Sequence, residues 1–220
     1  MIDPINFIEE GKKRNFTLYT GVPCSYLKPF INYVIDSSDI DYVAAANEGD
    51  AIAVGAGAAL NGLNPVVMFQ NSGLGNAVNP LTSLIQTFEI PCLLIITLRG
   101  EPGGPKDEPQ HRLMGKITTD FLDLMEIHWD YFPTDDKKII NALDTAQDFI
   151  SKGKPYALVM KKGSVNSYEL KTNLKVKDIN FEHNSYQTGK LASRESVLRE
   201  VQDKSLPNDL LIATTGYTGR

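Results

Sequence analysis

Strand-like and helix-like segments alternate along this sequence from end to end. That alternation predicts an open, mainly parallel α/β sheet with helices on both faces. Two further observations point the same way. "PCLLIITL" (91–98) and "YALVMKK" (156–162) hold unbroken apolar runs, the mark of strands covered on both sides. "KKIINALDTAQDFISKG" (137–153) instead repeats its apolar residues at helical spacing, through Ile139, Ile140, Leu143, Ala146, Phe149 and Ile150.

Taken in order, Asp3-Pro4 starts a first helix: a capping side chain, then proline at the first helical position. "FTLYTG" (16–21) reads as a strand. "SYLKPFINYVIDS" (25–37) reads as a helix with Leu27, Phe30, Ile31 and Val34 on one face. "YVAAA" (42–46) is a second strand, and "GDAIAVGAGAALNG" (49–62) a helix stopped by Asn61-Gly62. "PVVMFQ" (65–70) is a third strand and "LGNAVNPLTSLIQTF" (74–88) mostly helix. After the strand at 91–98 and a loop over 99–111, a helix is expected near 112–127. The helix at 137–153 and the strand at 156–162 complete residues 1–163, read as one domain.

From Gly163 the texture turns polar and weakly periodic, and residues 164–192 read as a linker. Ser193 then opens a capped helix, and "DLLIATTG" (209–216) reads as a new buried strand. A strand and turn without a following helix suggest an unfinished α/β unit. The chain is therefore expected to be part of a longer protein, with 193–220 beginning a second domain. The other reading adds the last strand to the edge of the first sheet.

The formal charge of −5 over 220 residues is spread along the chain, which argues against a nucleic-acid-binding face. A small anionic substrate remains compatible, because a local pocket can be basic on an acidic protein. Cys24 and Cys92 are the two cysteines; they suit a reducing compartment and give no metal-ligand spacing. No stretch has the length and apolarity of a membrane span, and the first residues lack a signal-peptide core, so a cytoplasmic protein is expected.

In open α/β sheets, ligands bind outside the carboxyl ends of the strands. The loops that matter are then Gly21–Ser25, Asn47–Gly49, Gln70–Asn76 and Arg99–Gly103, all rich in small or polar residues. Nucleotide fingerprints fail there: Gly73 and Gly75 are followed by Val78, and Lys106 by Asp107. Glu48 is the unusual residue, a carboxylate where a strand hands over to a helix of small apolar residues. By position alone it reads first as a first-turn glutamate stabilised by free N–H groups. The functional reading is a buried carboxyl that exchanges a proton with a ligand. Gly55 and Gly57 lie inside that helix, where each costs about 1 kcal/mol relative to alanine. The helix thus reads as buried all round, with a close backbone approach to another helix at a subunit or domain interface.

"AANEGDAIAVGAGAALNG", "VVMFQNSGLGNAVNPLTSL", "IPCLLIITLRGEPGGPKDEPQHRLMGKIT" and "GVPCSYLKPFINYVI" together resemble the pyrimidine-binding domain of the phosphonopyruvate decarboxylase family. Its members are thiamine diphosphate enzymes closely similar to sulfopyruvate decarboxylase. The resemblance covers roughly residues 14–160. "QNSGLGN" is common to both groups, whereas "RGEPG…KDEPQH" favours the phosphonopyruvate member. "LLIATTGYTGR" resembles the opening of the family's diphosphate-binding domain.

The resemblance implies decarboxylation of 3-phosphonopyruvate. Glu48 would be catalytic, hydrogen-bonding the pyrimidine ring nitrogen N1′ and so assisting proton removal from the thiazolium ring. Pro23, Cys24, Asn71, Ser72, Gly73, Leu74, Gly75 and Asn76 would line the cofactor. Ser25, Arg99, Lys106 and His111 would bind the small anionic 2-oxo acid, although each of these cations reads equally well as a solvated surface charge. Mg2+ would be held by the second domain, with no metal ligand in this one. A homodimer or higher oligomer through the 49–62 helix is implied, and a chain lacking the second domain should be inactive alone. Sulfopyruvate decarboxylase and a non-catalytic interaction domain are the competing readings.

Overall fold

A computed structural model of the chain describes residues 1–172 and 191–211. It divides into two units, Met1–Leu174 and Lys175–Arg220. Within the first, β1 (Leu18–Gly21), β2 (Asp41–Ala44), β3 (Pro65–Gln70), β4 (Leu93–Thr97), β5 (His128–Tyr131) and β6 (Tyr156–Met160) form one six-stranded sheet. The strand order is β2-β1-β3-β4-β6-β5 and every pair is parallel. The sheet is the open parallel one expected.

Period-two alternation divides the interior. Val66 and Met68 of β3, Leu93 and Ile95 of β4, and Tyr156, Leu158 and Met160 of β6 share one core. It is closed by α1 (Pro4–Lys12), α2 (Lys28–Asp36) and α6 (Ile139–Ser151), with Phe7, Phe30 and Phe132 in edge or tilted ring contacts. Val67, Phe69, Leu94, Ile96, Ala157 and Val159 face the other core. That side is covered by α3 (Glu48–Leu60), α4 (Leu74–Pro80) and α5 (Arg112–Leu124).

Local chemistry sets the helix ends. The Asp3 carboxylate accepts from the Ile5 N–H at 2.9 Å, with Pro4 at the first helical position, as expected. Asn47 caps α3, its side chain accepting from the Asp50 N–H at 3.0 Å. Pro80 ends regular α4: it has no N–H to bond four residues back, and residues 81–86 continue with the wider π spacing.

Three expectations need correction. The helix after the long loop ends at Leu124, not near 127; Glu126 takes a left-handed φ of 56°, and the chain enters β5. β5 was not expected at all. It is an edge strand whose residues are all exposed or half-buried, so "HWDY" offers no apolar run to read. Finally, α3 is not buried all round: Ala53, Gly57 and Leu60 are exposed. Gly55 does make a close approach, but to a strand. A Cβ there would lie 2.7 Å from Val67 Cγ2 of β3, whereas one at Gly57 would meet nothing within 4 Å.

Residues 164–172, placed in the linker on sequence grounds, fall within the first unit. Ile2 pairs with Val165, Asn32 donates to the Tyr168 carbonyl at 2.8 Å, and Asp36 accepts from the Lys171 and Thr172 N–H groups. In the second unit, α7 (Arg194–Lys204) is capped by Ser193, whose hydroxyl accepts from the Ser196 N–H at 3.1 Å, as expected. Most of the expected strand at 209–216 lies outside the described residues.

Candidate active site at the carboxyl edge of the sheet

The chain runs from β1 outward to β2, then returns to the other side of β1 as β3. The strand order therefore reverses at the β1–β3 junction, and loops diverging from such a junction leave a crevice at the carboxyl ends of the strands. Two groups of predicted residues lie there, one around Glu48 and one around Arg99.

The first group is built on Glu48. As the first residue of α3, it stands at the end of a helix where backbone N–H groups lack internal partners. Its carboxylate lies over Gly73 and accepts from the Asn76 amide, with Oε2 at 2.8 Å. Gly73 is required for that placement: a Cβ there would fall 2.2 Å from Glu48 Cδ. Glu48 is half-buried rather than buried, so this chain alone leaves the carboxylate open to a ligand.

The other residues of the turn have different parts. Gly75 and Asn76 are exposed, and Leu74 is packed in the core. Asn71 is fully buried. It donates to the Arg99 carbonyl and to Thr118 Oγ1, both at 2.9 Å, and accepts from the Arg99 N–H at 3.2 Å. Its amide ties together the ends of β3 and β4 and the face of α5, a bracing role within the fold.

The second group surrounds Arg99. Asp107 takes the guanidinium side-on, with Nε–Oδ2 at 2.7 Å and Nη2–Oδ1 at 2.5 Å. Such bidentate pairs are among the stronger hydrogen-bonded contacts. Asp107 also accepts from the backbone N–H groups of Gly100 and Glu108 and stands 3.3 Å from His111 Nδ1. The Arg99 guanidinium holds the Asp107 carboxyl well below the usual carboxylate range, and Asp107 in turn raises Arg99 further. Tyr26 lies under the guanidinium, its ring centre 5.0 Å away, and burial pushes its hydroxyl up. The loop closes tightly on α5, because a Cβ at Gly115 would sit 1.9 Å from the Gly100 carbonyl oxygen.

Gln70 links this group to the first loop. Its amide nitrogen lies 2.7 Å from Ser72 Oγ and 3.4 Å from His111 Nε2; its oxygen lies 3.4 Å from Arg99 Nη1 and 3.5 Å from Cys24 Sγ. Cys24 also lies 3.5 Å from Thr97 Oγ1. Pro23, Cys24 and Ser25 line a neighbouring surface pocket with Lys28, Ile31 and Asn32. Lys106 is exposed and lines a surface pocket beside the cluster with Gly100, Glu101, Asp107 and Arg112, without a hydrogen bond or ion pair to it among the described residues. Cys92 is core, and burial pushes its thiol up to about 12.

Tyr26, Thr97 and Asp107 lie outside the loops that the sequence marks, and Gln70 opens one of them without a role of its own. Gln70 did stand at a strand end, and Asp107 precedes His111 by four residues, but neither spacing announces a contact between separate loops. Among the described residues, no group of three or more His, Cys, Asp or Glu side chains is placed to hold a metal ion. Nor is any helix among them long and apolar enough to cross a membrane.

The fold is that of thiamine diphosphate-dependent enzymes. The chain superposes on the thiamine diphosphate-dependent 4-hydroxybenzoylformate decarboxylase of Rhodococcus jostii with a TM-score of 0.54 at 16% identity, covering 91% of this chain and 37% of that one. No family model matches the sequence. It is 38% identical to the phosphonopyruvate decarboxylase of Streptomyces viridochromogenes over 93% of this chain and 52% of that protein. It is 34% identical to the sulfopyruvate decarboxylase subunit alpha of Methanococcus maripaludis over 64% of this chain and 83% of that protein. The chain belongs to the family of phosphonopyruvate and sulfopyruvate decarboxylases. It spans about half the length of the phosphonopyruvate decarboxylases it matches.

Proposed function

We propose that this chain supplies the pyrimidine-binding half of a thiamine diphosphate-dependent decarboxylase that converts 3-phosphonopyruvate to phosphonoacetaldehyde and carbon dioxide. The observation that carries the reading is the Glu48 carboxylate at the sheet's switch point, lying over Gly73 and held by Asn76. The arrangement fits the cofactor: a half-buried acid, a cradle without a Cβ beneath it, and small or amide side chains around it.

When bound, thiamine diphosphate supplies a nucleophilic carbon and an electron sink for the departing carboxyl group. Glu48 would share a proton with ring nitrogen N1′ of the bound cofactor, and the Asn76 amide occupies only its Oε2. Asn76 fixes the carboxyl's orientation. Pro23, Cys24, Ser72, Gly73 and Gly75 would wall the ring and limit water at the point of proton exchange. Arg99 donates hydrogen bonds to an anionic group of the substrate, with Ser25 and His111 completing that side, and Lys106 attracts the substrate from the rim. Mg2+ would be held by ligands supplied from outside the described residues. The working enzyme is a cytoplasmic homo-oligomer. The exposed Ala53, Gly57 and Leu60 of α3 would give it an apolar contact surface.

Sulfopyruvate is the second reading, supported by the identity to the Methanococcus maripaludis subunit. Turnover of the two acids separates them. A protein carrying this chain with a diphosphate-binding half should release phosphonoacetaldehyde at a kcat/KM at least about tenfold above that for sulfopyruvate, which is about 1.4 kcal/mol of discrimination. A reversed preference assigns the chain to sulfopyruvate. Inactivity on both acids leaves the non-catalytic reading.

A further inference from the structure

The hydrogen-bond inventory around Gln70 has one consistent solution, and it assigns a part to Asp107. Arginine is a donor only, so the Gln70 atom 3.4 Å from Arg99 Nη1 must be the oxygen. The Gln70 nitrogen then faces Ser72 Oγ and His111 Nε2. Because that nitrogen only donates, His111 Nε2 must accept. The Nδ1 proton of His111 therefore points at Asp107 Oδ1, 3.3 Å away. An ionised Asp107 only accepts, so it can take that proton as a third, longer contact on Oδ1 beside Arg99 Nη2 and the Glu108 N–H, while Oδ2 accepts from Arg99 Nε and the Gly100 N–H. Every group in the chain of contacts has a partner of the right kind.

The same count leaves capacity on Arg99. Of the five N–H bonds of a guanidinium, Asp107 takes two and Gln70 one, which among the described residues leaves one on Nη1 and one on Nη2, with the Tyr26 side chain beside them. Donors on two neighbouring nitrogens suit the oxygens of a carboxylate or phosphonate. Both Arg99 and Asp107 are largely shielded, with side-chain exposures of 17% and 11%, so the guanidinium has little freedom to turn.

We propose that Asp107 is the positioning residue of this site: it locks His111 in the Nδ1–H tautomer and Arg99 in one orientation, so that a fixed pair of Arg99 donors meets the substrate's anionic group. Asp107 acts through Arg99 and His111 and does not itself touch substrate. This rests on the decarboxylase reading for the identity of the substrate; the tautomer does not depend on it.

Two measurements test it. Nitrogen-15 NMR of this chain at pH about 8, above the usual imidazole range, reports the His111 tautomer directly. The expected signature is a protonated Nδ1 and a bare Nε2. A protonated Nε2 overturns the proposal, and this arm needs no variant to fold. In a protein carrying both halves, Asp107→Asn should raise KM for phosphonopyruvate about tenfold or more, with kcat changed less than about threefold. Asp107→Glu should restore part of the loss. A merely structural role would lower the folded fraction, and hence apparent kcat, while leaving KM in place; that result also overturns the proposal. If the wild-type protein does not turn over phosphonopyruvate, the substrate assignment fails. The tautomer then still decides what Asp107 does.

Discussion

At the residue scale, the site is made of side chains that constrain one another. Glu48 could be located in the sequence because a charge beside small apolar residues is conspicuous. Its neighbour Gly73 could be noticed only as part of a glycine-containing turn. That Gly73 makes room for Glu48 is a fact of two separate loops meeting, which spacing cannot encode. The same holds for Asp107, one acid among several in a Pro- and Gly-rich loop. Its folded-state carboxyl is held well below the usual range, chiefly by the hydrogen bond from Arg99. A carboxyl with a lowered folded value contributes stability that is full above its unfolded value, about 3.9. That stability is lost as the pH falls below this toward the folded value. Asp107→Asn should therefore destabilise the chain clearly at neutral pH, and by a smaller margin near pH 3. Urea unfolding of both proteins at the two pH values checks this. An equal difference at both would show that ionisation of Asp107 contributes nothing.

At the element scale, covered strands and capped helices were legible because burial imposes a pattern. The apolar runs of β4 and β6 and the Asp3-Pro4 start are examples. β5 was not legible, since an edge strand has one neighbour and polar residues suit it; its partner β6 supplies the order that its own sequence does not. α3 was misread in an instructive way. Small residues throughout suggested burial throughout, yet one face is open in this chain. Gly55 and Gly57 now separate by mechanism. Gly57→Ala should stabilise the chain by about 1 kcal/mol, because helix propensity improves and the new methyl meets open space. Gly55→Ala should destabilise it, because its Cβ collides with Val67. Thermal unfolding of the two variants checks the pair; the opposite ranking would contradict the packing described. If α3 is the subunit contact, Gly57→Ala should also weaken association while stabilising the monomer.

At the scale of the whole molecule, the strand reversal at β1–β3 creates a crevice, and the loops leaving β1, β2, β3 and β4 bring Cys24, Glu48, Gln70 and Arg99 to it. The fold class follows from alternation alone. The chemistry follows from which side chains the parallel strands deliver to one edge. Glu48 is the residue on which the account depends. The most direct test is exchange of the proton at C2 of thiamine diphosphate, followed by NMR in a protein carrying this chain with a diphosphate-binding half. Glu48→Gln keeps the size of the side chain and removes its acid. Exchange should fall at least about 100-fold, the scale of a lost acid–base group, while the cofactor still binds in part. Exchange at the wild-type rate in Glu48→Gln, with the cofactor bound, would contradict the role given to Glu48.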